Sequence, residues 1–120
     1  MKEHIVSQSI ALPTSTKVTI NPSAEELMTD WLAARVERGI EMVINHAISA
    51  GVPLKEIWVA GHESHEELTR EMWITVETAA NHDDAYALWG VLADAFSRLN
   101  EPPPAGADNA DVTVQIAVNW

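Results

Sequence analysis

The chain has 120 residues, is 47% apolar, lacks cysteine and carries a formal net charge of −11. That length suits one folded domain, read as residues 1–120, and the missing cysteine excludes disulfides, iron–sulfur clusters and thiolate zinc sites. The charge disfavours binding to nucleic-acid backbones, and no apolar run approaches membrane-spanning length, so the expectation is a soluble, cytoplasmic protein.

The charge is lopsided. Residues 1–60 hold seven acidic and five basic side chains, whereas residues 61–120 hold eleven acidic and two basic ones. Acidity by itself favours solubility, but its concentration in one half points to a surface with a partner of opposite sign.

In chain order, residues 4–12 are extended in character, with Ile5, Val6, Ile10 and Leu12. They read either as an extra N-terminal strand or as an arm, and Pro13-Thr14-Ser15-Thr16 reads as a turn. Lys17-Val18-Thr19-Ile20 alternates and leads through Asn21-Pro22 into a helix expected over residues 23–50. Met28, Leu32, Val36, Ile40, Val43 and Ala47 recur at spacings of three and four and define its buried face. Ser23 with Glu26 forms a capping-box pair at the start, and Gly51 with Pro53 marks the stop. Gly39 inside the stripe costs about 1 kcal/mol relative to Ala, which close packing against a neighbouring backbone would offset.

A short β-rich run covers residues 56–60. Residues 61–71 are polar and acidic, with Ser64 and Glu67 as a second capping-box pair suited to one helical turn. Residues 72–78 form a strand with Met72, Ile74 and Val76 on one face and Trp73, Thr75 and Glu77 on the other. Asn81 caps a second helix whose buried stripe is Ala85, Leu88, Trp89, Leu92, Phe96 and Leu99. Residues 100–110, with three consecutive prolines, form a surface loop of low order, and Val112, Val114, Ile116 and Val118 alternate along a closing strand. The order strand–helix–strand–strand–helix–strand predicts an α+β domain of ferredoxin-like βαββαβ type, with two helices on one face of a four-stranded antiparallel sheet.

The sequence His62-Glu63-Ser64-His65-Glu66-Glu67 is the one cluster with metal-ligand chemistry, but it lacks the spacing of the zinc-protease motif, and a solvated acidic loop is the simpler reading. His82, Asp83 and Asp84 would strengthen a metal site only if the fold brought them alongside. Adjacent carboxylate pairs such as Asp83/Asp84 sit in helix first turns, where they favour the dipole. His46 reads as a packed or surface histidine. No nucleophile elbow, phosphate loop or dinucleotide fingerprint is present, so no cofactor and no enzymatic role are expected.

Trp31 and Trp89 fall on helix stripes. Trp58 and Trp73 project from the sheet face opposite the helices, with Trp120 placed to join them, and aromatics on an open face are typical of interfaces. Expected partner-binding residues are therefore Glu63, Glu66, Glu67, Glu71, Glu77, Asp83 and Asp84 together with Trp58 and Trp73. The leading expectation is a non-enzymatic protein that binds a partner with a basic surface. In size, acidity and absence of motifs the chain is similar to phage-encoded inhibitors of bacterial defence such as anti-CRISPR proteins, a similarity of profile that implies occupation of a nucleic-acid-binding groove. The alternative is a ferredoxin-like ligand-binding or regulatory module that homodimerises through the open sheet face.

Overall fold

A computed structural model describes residues 16–120. The elements are β1 (Lys17–Ile20), α1 (Pro22–Leu27), α2 (Asp30–Ala50), β2 (Leu54–Ser64), β3 (Thr69–Thr78), α3 (His82–Leu99) and β4 (Thr113–Asn119). The expected strand or arm over residues 4–12 lies outside the described residues.

The expected first helix is two helices. Thr29 takes an extended conformation and its hydroxyl accepts the Leu32 N–H (3.4 Å), so the long helix starts there. Ser23 is one residue inside α1, which is entered at Pro22 behind Asn21. The Ser23 hydroxyl instead accepts the Gly61 N–H (3.0 Å) and ties α1 to β2. The long helix ends as expected, with Gly51 left-handed at φ 70° and Val52 N–H returning to the Ala47 carbonyl (2.9 Å).

The α+β class holds, but the sheet is not that of a ferredoxin-like domain. Strand order is β1-β2-β3-β4, with β1 parallel to β2, β2 antiparallel to β3, and β3 parallel to β4. Each helical connection therefore returns to the adjacent position, whereas a split βαβ unit leaves room for another strand between. The β2–β3 hairpin joins two βαβ units back to back. Hydrophobic alternation specifies which face of a strand is buried, not which strand lies beside it, so neighbour order was not readable, and the observed order also has two helices between β1 and β2 where one was expected.

The helices cover one face. Ile57 and Val59 of β2, Met72, Ile74 and Val76 of β3, and Val114 of β4 are all fully enclosed. Above them lie Leu32, Val36, Ile40 and Val43 of α2 and Leu92 of α3, also with no exposed surface. Each such side chain contributes roughly 1.5–3 kcal/mol of burial. Gly39 sits where α2 meets β3 and α3. A Cβ there would stand 2.9 Å from Ile74 Cδ1 and 3.1 Å from Phe96 Cζ, so the close packing is against side chains and not against the expected neighbouring backbone.

The proline loop is more firmly held than its composition suggests. Trp31 Nε1 donates to the Asp108 carbonyl (2.8 Å), Arg35 to the Glu101 carbonyl (2.7 Å), and Asn109 Nδ2 to the Leu27 carbonyl (2.9 Å). Arg35 is buried beneath the loop with its guanidinium 4.8 Å from the Trp31 ring centre. Burial pulls its pKa below the ordinary arginine value, as does Arg38, while Glu101 pushes it back up. At the loop's start, the Asn100 side-chain amide donates to the Val114 carbonyl (2.7 Å) and accepts the Val114 N–H (2.9 Å).

Candidate functional site

The β2–β3 hairpin is longer than expected, because β2 runs on to Ser64 and β3 begins at Thr69. Ser64 and Glu67 do pair, with the Ser64 hydroxyl accepting the Glu67 N–H (3.2 Å), but the bond closes a hairpin turn and no helical turn forms. The register places β1 against residues 56–59 of β2 and β4 against residues 71–77 of β3. The tip, with Glu63 opposite Arg70 and Ser64 opposite Thr69, is therefore a two-stranded ribbon projecting past the sheet.

Glu63, Glu66 and Glu67 are exposed on that ribbon. Its one guanidinium, Arg70, is bound through two nitrogens to Asp111 (2.9 and 2.5 Å). This fork holds the Asp111 carboxyl below its ordinary range and raises Arg70 above its own, with Glu63 adding to the latter. Leu68 closes the turn in the left-handed region at φ 56° and is 86% exposed.

Trp58 and Trp73 do lie on the face opposite the helices, diagonal to one another, since Trp58 is opposite Thr75 and Trp73 opposite Ala60. Both are half-buried. Each indole N–H donates to the carboxylate two residues earlier on the same face, Trp58 to Glu56 (2.8 Å) and Trp73 to Glu71 (3.1 Å). The repeated Glu-x-Trp spacing was the signal that could have assigned Glu56 to this surface, because residues two apart share a strand face.

The remaining predicted carboxylates are elsewhere. Glu77 is on the open face but opposite Glu56, at the far end of β3 from the ribbon. Asp83 and Asp84 are exposed in the first turn of α3, beyond that end, and Asn81 Oδ1 accepts the Asp84 N–H (2.9 Å) as expected of a cap. Thr78 lies eight residue steps along the strand from Arg70, a distance of about 27 Å at the strand rise. The fold thus divides the acidic residues between two poles: the ribbon with Glu71, and the α3 start with Glu77. For the same reason His62 and His65 are far from His82, Asp83 and Asp84, and among the described residues no group of three His, Asp or Glu is placed to hold a metal ion.

A third surface was missed. Trp89 is not part of the buried stripe but 40% exposed, and Trp120 joins it instead of the Trp58/Trp73 pair. His82 stacks on Tyr86 (centroids 5.9 Å apart) and meets Trp120 edge-on (4.9 Å), while Tyr86 stacks on Trp89 (6.1 Å). Tyr86, Trp89, Val118 and Trp120 line a hollow of about 250 Å³. On the other side of Trp89, a groove of about 300 Å³ continues between α3 and β4, past Phe96 and Ile116 to Asn100. The spacing of His82, Tyr86 and Trp89 places three rings on one helical face, and that pattern was legible. His46 lines a separate groove of about 330 Å³ between α2 and α3, with Asp84 on its far wall.

Comparison with protein-family models, with curated proteins and with solved structures finds no match to this chain. No helix among the described residues is long and apolar enough to cross a membrane.

Proposed function

We propose that the chain is a non-enzymatic binding protein that presents carboxylates to a basic surface of a partner protein, and that it inhibits the partner by occupying a surface otherwise used by nucleic acid. The observation that supports this reading is the projecting ribbon. Glu63, Glu66 and Glu67 are exposed at its end, and the adjacent cation, Arg70, is already bound to Asp111. Glu71, anchored by Trp73, extends the negative surface from the ribbon onto the open sheet face, and Glu56, anchored by Trp58, lies farther along that face opposite Glu77. A field of one sign accelerates encounter with an oppositely charged groove by roughly 10–10³-fold, and it repels competing phosphate.

The test is affinity capture from a lysate of the native host with the wild-type chain and with Glu63, Glu66 and Glu67 all changed to Lys. The expected result is a basic protein retained by the wild type at low salt, lost from the triple variant, and displaced from its nucleic acid on binding. Undiminished capture by a folded triple variant would overturn the proposal.

A further inference from the structure

The outer edge of β4 is the feature that the proposed function leaves unused. Among the described residues β4 is the last strand of the sheet. In a parallel ladder, alternate residues turn both N–H and C=O toward the same neighbour. The Asn119 carbonyl accepts from Thr78 of β3, and the Val114 N–H and carbonyl are taken by Asn100 from outside the sheet. Residues 113, 115, 117 and 119 therefore face β3, while Val114, Ile116 and Val118 face outward. Asn100 occupies the first of these like a one-residue strand partner. Ile116 and Val118 follow with two N–H groups and two carbonyls, and among the described residues no further strand lies beside them.

Protected edges are short, charged or interrupted by proline. The opposite edge, β1, is four residues long and includes Lys17. β4 has seven residues, Thr-Val-Gln-Ile-Ala-Val-Asn, without charge or proline. Alongside it run the two hollows that flank Trp89, one beside Ile116 and reaching Gln115 and Trp73, the other beside Val118. Those residues are two apart, which is the spacing at which an added strand presents side chains to one face.

We propose that this edge binds an extended segment of a partner protein as a fifth strand, with arginine or lysine side chains seated at alternate positions beside Trp89. Four main-chain bonds to Ile116 and Val118 set the register, and Asn100 ends it. The occupant is cationic for two reasons. Tyr86, Trp89 and Trp120 offer π faces and apolar walls that suit the stem and head of a long basic side chain. Neither hollow is lined by a charged side chain, but the chain as a whole carries −11, and Asp83 lies against His82 (3.4 Å), whose ring meets Trp120. A second copy would bring the same negative charge to the edge. The inference shares with the preceding one only the basic character of the partner.

The test uses the full chain, isotope-labelled, titrated with a short acetylated peptide alternating threonine and arginine. The matching threonine–glutamate peptide is the control. The expected result is at least tenfold slower hydrogen exchange at the Ile116 and Val118 amides with the arginine peptide and no change with the glutamate peptide. Val118→Pro removes an outward N–H while leaving the bonds to β3, and Trp89→Ser opens the groove. Each is expected to weaken peptide binding at least tenfold, and Trp89→Ser decides the matter if Val118→Pro does not fold. Changing Glu63, Glu66 and Glu67 to Lys is expected to leave this site's protection pattern intact, which separates its failure from failure of the ribbon. Equal effects of the two peptides, or shifts centred on Trp58 with Ile116 and Val118 unaffected, would overturn the proposal. So would protection of Ile116 and Val118 that rises with protein concentration in the absence of peptide, which would identify a second copy as the occupant.

Discussion

Asn100 and Val114 are joined by two hydrogen bonds, side-chain amide to main chain, one in each direction (2.7 and 2.9 Å). Asn100 also ends α3, its own N–H returning to the Phe96 carbonyl (3.3 Å). One residue thus stops the helix, starts the proline loop and satisfies the first outward peptide of β4. Asn100→Ala is expected to cost about 1–2 kcal/mol, because two half-buried backbone groups lose their partner. Asn100→Asp keeps an acceptor for the Val114 N–H but sets a carboxylate against the Val114 carbonyl. Hydrogen exchange separates the variants: both unfold at lower denaturant, but only the alanine variant exposes the Val114 amide.

Two glycines inside helices should respond to the same substitution with opposite sign. Around Gly90 a Cβ would meet nothing within 4 Å, so Gly90→Ala should stabilise by about 0.5–1 kcal/mol through helix propensity. At Gly39 the same gain is opposed by contact with Ile74, Phe96 and Leu99, at 2.9, 3.1 and 3.3 Å from the new carbon. Overpacking of a filled core costs about 1–3 kcal/mol, so Gly39→Ala should be destabilising by about 1 kcal/mol and Gly39→Val by more. Urea midpoints of the two alanine variants, measured side by side, check the difference in sign.

These residues also show what a sequence carries and what it does not. The buried faces of β3, β4 and α2, and that of α3 apart from Trp89, followed from periodicity, and Asn81 and Gly51 capped where expected, because those signals are local. Ser23 and Glu26 complete a capping box in the sequence and Thr29 does not, yet Thr29 caps the long helix while the Ser23 hydroxyl is engaged by the Gly61 N–H. Strand order depends on which edges meet, and alternating residues are silent on that. The same limit applies to the site. The exposure of Glu63 and the face of Trp58 were legible from local pattern, whereas the separation of Asp83 from Glu63 depends on the direction of β3. Trp89 was misplaced because an amphipathic stripe does not mark where its own border falls.

The Arg70–Asp111 fork ties β3 to the residue that leads into β4, and it should leave a trace in acid. Asp111 has its carboxyl pKa lowered from the ordinary 3.8, chiefly by the hydrogen bond from Arg70. A carboxyl depressed on folding adds stability above its unfolded pKa, and the contribution fades as pH falls through the folded value. Arg70, raised above an already high value, stays charged throughout that range. Asp111→Asn should therefore be less stable than wild type at neutral pH, by a small amount because the pair is exposed, and the gap should close below pH 3.8. Parallel urea titrations at neutral and acid pH measure it. A gap that persists in acid would assign the effect to packing instead of charge.

Leu68 sets backbone conformation against surface chemistry. A left-handed backbone costs an ordinary side chain about 1–2 kcal/mol, and at 86% exposure Leu68 recovers little of that by burial. Asn tolerates this region and adds no flexibility to the unfolded chain. Leu68→Asn should therefore raise stability by about 0.5–1 kcal/mol, and Leu68→Gly by less, since glycine also frees the unfolded chain. The expected reading is a higher urea midpoint with an unchanged slope. The ribbon proposed to meet a basic partner ends in this aliphatic side chain between Glu67 and Thr69. If its apolar surface is buried on docking, Leu68→Asn gives a more stable protein that binds more weakly, by roughly tenfold for about 1.4 kcal/mol of lost contact. Equal affinity in the stabilised variant would assign binding at the tip to the carboxylates alone.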